Sequence, residues 1–297
     1  MIRLRYFLAA LSFVTLMLSS LMWMSLPANK DEEYFERYTK EDLEQPKQSD
    51  TLNAYFLDLD RGEATLFVTP TQQTILVDTG NLESFKKLSF ILNELNISEI
   101  DHVFLTTNQV DYLGGLTSLL EEFKIKHLYL PKAESFDSLA RTFQEHLMHA
   151  DHVAMLAENN RLIIEDGIEV LSLHSMPLVL SLRHQQISYL LMSEANFETE
   201  EYLLKQYGDR LHAQILKVGN HGQSFTNSDE FLKAVNPQVA IIMGGESDEH
   251  SRISNGVIER LLESWIDVYR TDTLGTITIT SDGVDYEVKT DLSTNSQ

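Results

Sequence analysis

The chain contains no cysteine. Disulfides, thiolate zinc sites and a lipid-modified N-terminal cysteine are therefore excluded. Basic residues are scarce: 23 Lys and Arg stand against 45 Asp and Glu, a formal net charge of −22. A surface of that sign repels phosphate backbones, which proteins bind through Lys and Arg, so nucleic acid is not an expected partner. No basic cluster, internal repeat or low-complexity tract offsets this balance. What is present is ordinary for a globular core: 43% of the residues are hydrophobic. The 297 residues allow one large domain or two small ones.

Charge is also missing from Tyr6 to Leu26, a run preceded by Arg3 and Arg5. Its length is that of a bilayer-spanning helix, roughly 20 residues. It exceeds the roughly 7–15-residue apolar core of a cleavable signal, and no small-x-small cleavage pattern precedes Ala28, because Leu26 stands two places before it. No face of the run is polar, as a buried soluble helix would require. Residues 1–28 are therefore read as a signal anchor, with a cleaved signal and a secreted protein as the alternative. Basic residues on the short side place the rest of a single-pass chain outside the cytoplasm. Residues 29–52 read as a charged linker, 53–289 as one globular domain, and 290–297 as a disordered tail.

Within the domain, short apolar runs alternate with helical periodicities, which predicts an α/β fold. Strands are expected at Asn53 to Leu59, Thr65 to Val68, Gln73 to Val77, around Val103 to Leu105, and at His127 to Leu130. A helix is expected from about Glu134 to His149. Two hairpins follow, Leu162 to Leu173 turning at Asp166-Gly167 and Leu178 to Met192 turning near His184 to Gln186. Further helices are read at Glu198 to Tyr207, Asn227 to Val235 and Asn255 to Glu263. Between them lie strands at Ala213 to Val218 and Val239 to Met243, and three more close the chain.

The stretch His102 to Gly115 organises this pattern. A short apolar strand is followed by a polar loop from Thr106 to Asp111, then Gly114-Gly115, then Leu116, Leu119, Leu120 and Phe123 at helical spacing. Loops at the carboxyl ends of strands are where α/β folds hold ligands, so this loop is the default site.

This frame resembles the metallo-β-lactamase superfamily, whose H-x-H-x-D-H metal motif lies in such a loop and is often closed by Gly-Gly. Five blocks in order make the resemblance closest to the C-terminal domain of ComEC-type competence DNA-uptake proteins. Phe56-Leu-Asp-Leu-Asp-Arg-Gly-Glu-Ala64 resembles that group's F-L-D-V-G-Q-G-D-A, and Ile75-Leu-Val-Asp-Thr-Gly80 its I-L-I-D-T-G. Leu190-Leu-Met-Ser-Glu194 resembles L-L-T-G-D, and Leu216-Lys-Val-Gly-Asn-His-Gly-Gln223 resembles L-K-V-G-H-H-G-S. Tyr269 to Asp272, with Gly275 and Asp282-Gly283, resembles the closing strands. The resemblance covers about Asn53 to Val288 and implies a four-layer αββα sandwich after the N-terminal transmembrane helix.

The same alignment argues against the family's two-metal chemistry, in which imidazoles and carboxylates hold a pair of ions. The three motif histidines fall on Thr107, Gln109 and Tyr112. The first two are weak neutral oxygen donors, and the third would have to lose a proton with a pKa near 10. Asn220 replaces another histidine, and the later one aligns with Arg252, two places from His250. Asp111, His221 and Glu194 remain as ligand types, enough for one weak ion but not for a dinuclear site. Each also has a plainer reading: Asp111 as a helix cap, His221 as an inherited but unused loop residue, and Glu194 as a solvated carboxylate. Asp78, at a strand end, is expected to organise its loop by accepting backbone N–H bonds. His146 and His149 read as the solvated face of one helix. No cofactor is expected, and zinc is the ion a residual site would take. The sequence favours a membrane-anchored, non-catalytic binding protein with an unidentified protein or small-molecule ligand. An altered, mononuclear hydrolase cutting a phosphodiester or another ester is the alternative.

Overall fold

A computed structural model describes residues 50–244 and 253–291. The expected anchor, nearly all of the linker, most of the tail, and the positions of His250 and Arg252 lie outside the described residues. Among the described residues no helix is long and apolar enough to cross a membrane.

Among the described residues, fifteen strands form two mixed sheets. The first contains β1 (Leu52–Phe56), β2 (Thr65–Val68), β3 (Thr74–Val77), β4 (Glu99–Phe104), β5 (Lys124–Pro131), β6 (Ala150–Leu156), β14 (Ile277–Ser281) and β15 (Tyr286–Thr290), in the order β15-β14-β1-β2-β3-β4-β5-β6. The second contains β7 (Arg161–Glu165), β8 (Ile168–Ser175), β9 (Leu178–His184), β10 (Ile187–Leu191), β11 (Ile215–Lys217), β12 (Val239–Ile242) and β13 (Asp267–Arg270), in the order β13-β12-β11-β10-β9-β8-β7. Each sheet is antiparallel on one side and parallel on the other, changing over at the β3–β4 and β10–β11 pairs. The parallel strands are crossed over by helices, as parallel connection requires.

The inner faces of both sheets share one apolar core. Phe56, Phe67, Ile75 and Phe104 from the first meet Leu180, Tyr189, Ile215 and Ile241 from the second. On the far side of the second sheet, Leu190, Leu216, Ala240 and Ile242 pack with the helix residues Leu203, Phe231, Leu232, Val257 and Leu261. Strand alternation explains the division, since consecutive residues such as Ile215 and Leu216 face opposite layers.

Most predicted elements are found within a residue or two. The helix predicted from Glu134 to His149 is instead two, Glu134–Thr142 and Gln144–Leu147, so His146 and His149 do not share one helical face. Strand β6 was not predicted. Four of its central residues, Asp151 to Ala154, are exposed, which leaves no apolar alternation to read. His102, His127 and His152 occupy register-matched positions on β4, β5 and β6, and their rings stack at centroid distances of 5.2 and 5.1 Å.

Candidate functional site

The loops after β3, β4, β10 and β11 converge at one end of the two sheets, stitched together by backbone bonds. Thr79 N donates to Tyr112 O at 2.6 Å, Gly115 N to Gly80 O at 3.1 Å, and Asn220 N to Ser193 O at 2.7 Å. The loop after β1 joins them, with Glu63 N donating to Asp111 O at 2.8 Å. Gly114 and Gly115 serve this close approach: a Cβ on Gly114 would stand 2.5 Å from Val110 O and 2.7 Å from Leu82 N. Glycine is needed because backbone passes where a side chain would begin.

Asp78 organises its loop as the sequence suggests. Its carboxyl accepts from Thr106 N at 2.8 Å and Thr106 Oγ1 at 2.7 Å. Complete burial outweighs these bonds and pushes its pKa up to about 8, so near neutrality it is largely a neutral acid. Thr106 Oγ1 lies 2.5 Å from Ser193 Oγ, which ties the β4 loop of one sheet to the β10 loop of the other.

The polar centre of the cleft is one the sequence reading did not identify. Glu63 and Lys217 form an ion pair, with side-chain exposures of only 2% and 5%. Burial lowers the Lys217 pKa to about 7. The other Glu63 oxygen, Oε1, lies 2.9 Å from His221 Nδ1, which also faces Met243 O at 3.3 Å. With Glu63, Asp78, Thr106 and Ser193, Lys217 lines a cavity of about 10 Å³, on the order of one water molecule. The sequence signal was a lone lysine in the apolar strand Ile215-Leu-Lys-Val218. A charge so placed is rarely buried without a partner.

Of the sequence candidates, Glu194, His221 and Tyr112 do come together. His221 Nε2 is 3.8 Å from Glu194 Oε1. The Tyr112 ring lies 5.2 Å from the His221 ring, and Lys217 Nζ is 5.4 Å from the Tyr112 centroid. His221 is buried, and it adopts a left-handed conformation, φ 52°, next to Asn220 at φ 47°. Burial, then the Lys217 charge, lower its pKa, so the imidazole is held neutral. Burial raises the pKa of Glu194, with Asp111 adding to the rise and His221 and a Tyr112 hydrogen bond opposing it. Glu194, read in the sequence as a solvated carboxylate or a ligand, is partly buried, with its side chain 23% exposed.

Asp111 stands at the edge of this group. It is not a helix cap. It lies in the first turn of Val110–Leu113, whose N-cap is Gln109, and no side chain caps that turn. Its carboxylate accepts from Asn81 Nδ2 at 2.6 Å and lies 3.8 Å from Arg61 Nε. Gln109 is exposed, and Thr107 and Asn220 are buried.

The metal centre implied by the resemblance can be tested against these donors. Tyr112 is fully buried, and burial followed by the Glu194 charge raises its pKa well above 10, so it remains a neutral phenol. Thr107 and Gln109 supply neutral oxygens, and Asp111 is already engaged by an amide and a guanidinium. Among the described residues no three His, Asp or Glu side chains stand where they could share one ion. Among the described residues the donors at these motif positions do not fit a dinuclear centre.

The loop from Gly219 to Ser228 is secured from behind. Glu200 accepts from Asn227 N and from Ser228 N and Oγ, while Arg260 donates to Thr226 O and Asn227 O.

No family model matches the chain. The chain is 25% identical over 248 residues to ComE operon protein 3 of Bacillus subtilis, covering 74% of this chain and 32% of that protein. It is 25% identical over 218 residues to competence protein ComA of Neisseria gonorrhoeae, covering 72% of this chain and 30% of that one. The chain thus spans about a third of the length of these relatives. Among solved structures it is similar to CmlA, a diiron β-hydroxylase from Streptomyces venezuelae, with a TM-score of 0.55, 13% identity, and coverage of 76% of this chain and 53% of that one. At that identity the likeness concerns the fold alone.

Proposed function

Because this chain resembles the metallo-β-lactamase superfamily, and within it the ComEC-type competence proteins, we propose that it is a membrane-anchored, extracytoplasmic member that keeps the αββα scaffold and uses its cleft for binding rather than hydrolysis. The observation that carries this reading is Tyr112. At the position of the motif's third histidine stands a fully buried, neutral phenol whose ring lies near both His221 and Lys217. A large apolar ring with an un-ionised hydroxyl fills space there without donating a strong ligand. The interior charges support the same reading. Lys217 pairs with Glu63, whose other oxygen lies 2.9 Å from His221 Nδ1, so part of the charge of the cleft floor is balanced by the chain's own side chains.

One observation favours the alternative, a mononuclear hydrolase. His221 directs Nδ1 to a carboxylate and leaves Nε2 facing Glu194 Oε1 at 3.8 Å. A carboxylate behind an imidazole is how metal-ligating histidines are often oriented. Two donors are a partial set, and Asp111 would have to leave Asn81 and Arg61 to complete it.

The test is hydrolysis of bis(p-nitrophenyl) phosphate by the full chain with added zinc or manganese. The binding reading expects no turnover above that of the Asp111→Ala, His221→Ala double variant. Metal-dependent turnover abolished in that variant would establish the alternative.

A further inference from the structure

The cleft mouth carries exposed apolar side chains in two pairs. Leu82 and Val110 are 59% and 58% exposed, and Phe197 and Phe225 are each 42% exposed. They are not scattered. Leu82 N and Val110 O flank the same point beside Gly114, at 2.7 and 2.5 Å from where its Cβ would be. Phe197 N donates to Phe225 O at 2.8 Å. One pair therefore belongs to loops of the first sheet and the other to loops of the second. The same loops carry Asp111, Tyr112, Glu194 and His221, the last three linked across the cleft by the Tyr112–His221 and His221–Glu194 contacts.

The charge of these loops has one sign. The segments 78–84, 105–115, 192–198 and 219–230 contain no Lys or Arg, and they carry Glu83, Asp111, Glu194 and Glu198 among their acids. The neighbouring Arg61 is already paired with Glu83 at 3.3 Å and lies 3.8 Å from Asp111. An acidic strip between two apolar lips repels a phosphate backbone and an anionic bilayer alike. It complements a polypeptide segment in which Lys or Arg alternates with aliphatic or aromatic residues. The apolar side chains would be covered by the lips and the cations would face Asp111 and Glu194.

We infer that this cleft mouth is a docking surface for a basic, apolar-rich segment of a partner protein. The inference rests on the binding reading of the same cleft and names the chemistry of what is bound. Leu82, Val110, Phe197 and Phe225 anchor the segment, and Glu83, Asp111 and Glu194 set its charge.

The experiment measures fluorescence anisotropy of a labelled Lys/Leu/Phe peptide with the full chain, using detergent alone as the blank. The comparison probes are the same peptide with Glu in place of Lys and a labelled oligothymidylate. The Lys peptide is expected to bind, to weaken with added salt, and to lose about tenfold or more in affinity in Phe197→Ser/Phe225→Ser and in Leu82→Ser/Val110→Ser. All four side chains are exposed, so unchanged circular dichroism should accompany the loss. Equal binding by the variants, or equal or tighter binding of the Glu peptide or the oligonucleotide, overturns the inference. The metal content and esterase activity of the same preparation separate the two levels. Bound metal with turnover brings down the binding reading and this inference with it. A metal-free, inactive chain that ignores the Lys peptide brings down this inference alone.

Discussion

Replacing Lys217 by Met is the sharpest perturbation of the cleft floor. The two side chains are similar in length, but the substitution leaves Glu63 buried with only His221 Nδ1, 2.9 Å away, as a polar partner. Breaking a buried ion pair by removing one member costs about 3–5 kcal/mol, because the remaining charge stays desolvated. The converse change, Glu63→Gln, should cost less, and less again above pH 7. Burial already lowers the Lys217 pKa to about 7, so the lone amine can shed its proton. The double variant Lys217→Met/Glu63→Leu removes both charges and should lie within about 1–2 kcal/mol of the parent, since apolar replacement of a whole buried pair is often close to neutral. The assay is urea unfolding followed by far-ultraviolet circular dichroism. Tryptophan fluorescence is unsuited, because Trp265 is 94% exposed and would report little of the core. Single-variant costs below about 1 kcal/mol, or costs that simply add in the double variant, would refute the reasoning.

Three further outcomes follow from the same geometry. Burial raises the Asp78 pKa from the ordinary carboxylate value of 3.8 to about 8. Below the lower value both states are protonated, and as pH rises through this window the unfolded state ionises first, so stability falls. Urea unfolding at pH 5 and pH 8 should show a loss on the order of a few kcal/mol that Asp78→Asn lacks; parallel profiles for the two proteins would count against the buried neutral acid. Gly115→Ala drives a methyl group into the Thr79 carbonyl oxygen and should cost about 1–3 kcal/mol by overpacking, read as a lowered urea midpoint. Glu200→Ala strips acceptors from Asn227 N and Ser228 N and should cost about 2–4 kcal/mol, with faster hydrogen exchange confined to residues 219–228.

Much of the fold was legible because burial leaves a periodic trace. The hairpin turn at Asp166-Gly167, the helix Asn255–Glu263 and the Gly114-Gly115 crossing all follow from local pattern. Strand β6 was not legible because it is a sheet edge with an exposed middle, and its place is set by pairing with β5. The cleft was half legible. Asp78 announced its role by its position at a strand end, and His221 and Glu194 were found through motif resemblance. The capping alternative for Asp111 fails because its partners, Asn81 and Arg61, are distant in the chain and invisible to local pattern. Glu63 and Lys217 are 154 residues apart, and only the packing of the two sheets brings them together. A lysine in an apolar strand signals that a partner is needed but does not say which carboxylate supplies it.

In the proposed binding reading, Thr107, Gln109 and Tyr112 leave the cleft unable to hold the family's metal pair. Equilibrium dialysis of the full chain against zinc and against manganese, followed by elemental analysis, tests it most directly. The account predicts substoichiometric metal that is unchanged in Asp111→Ala/His221→Ala. Stoichiometric metal lost on that double substitution would contradict it.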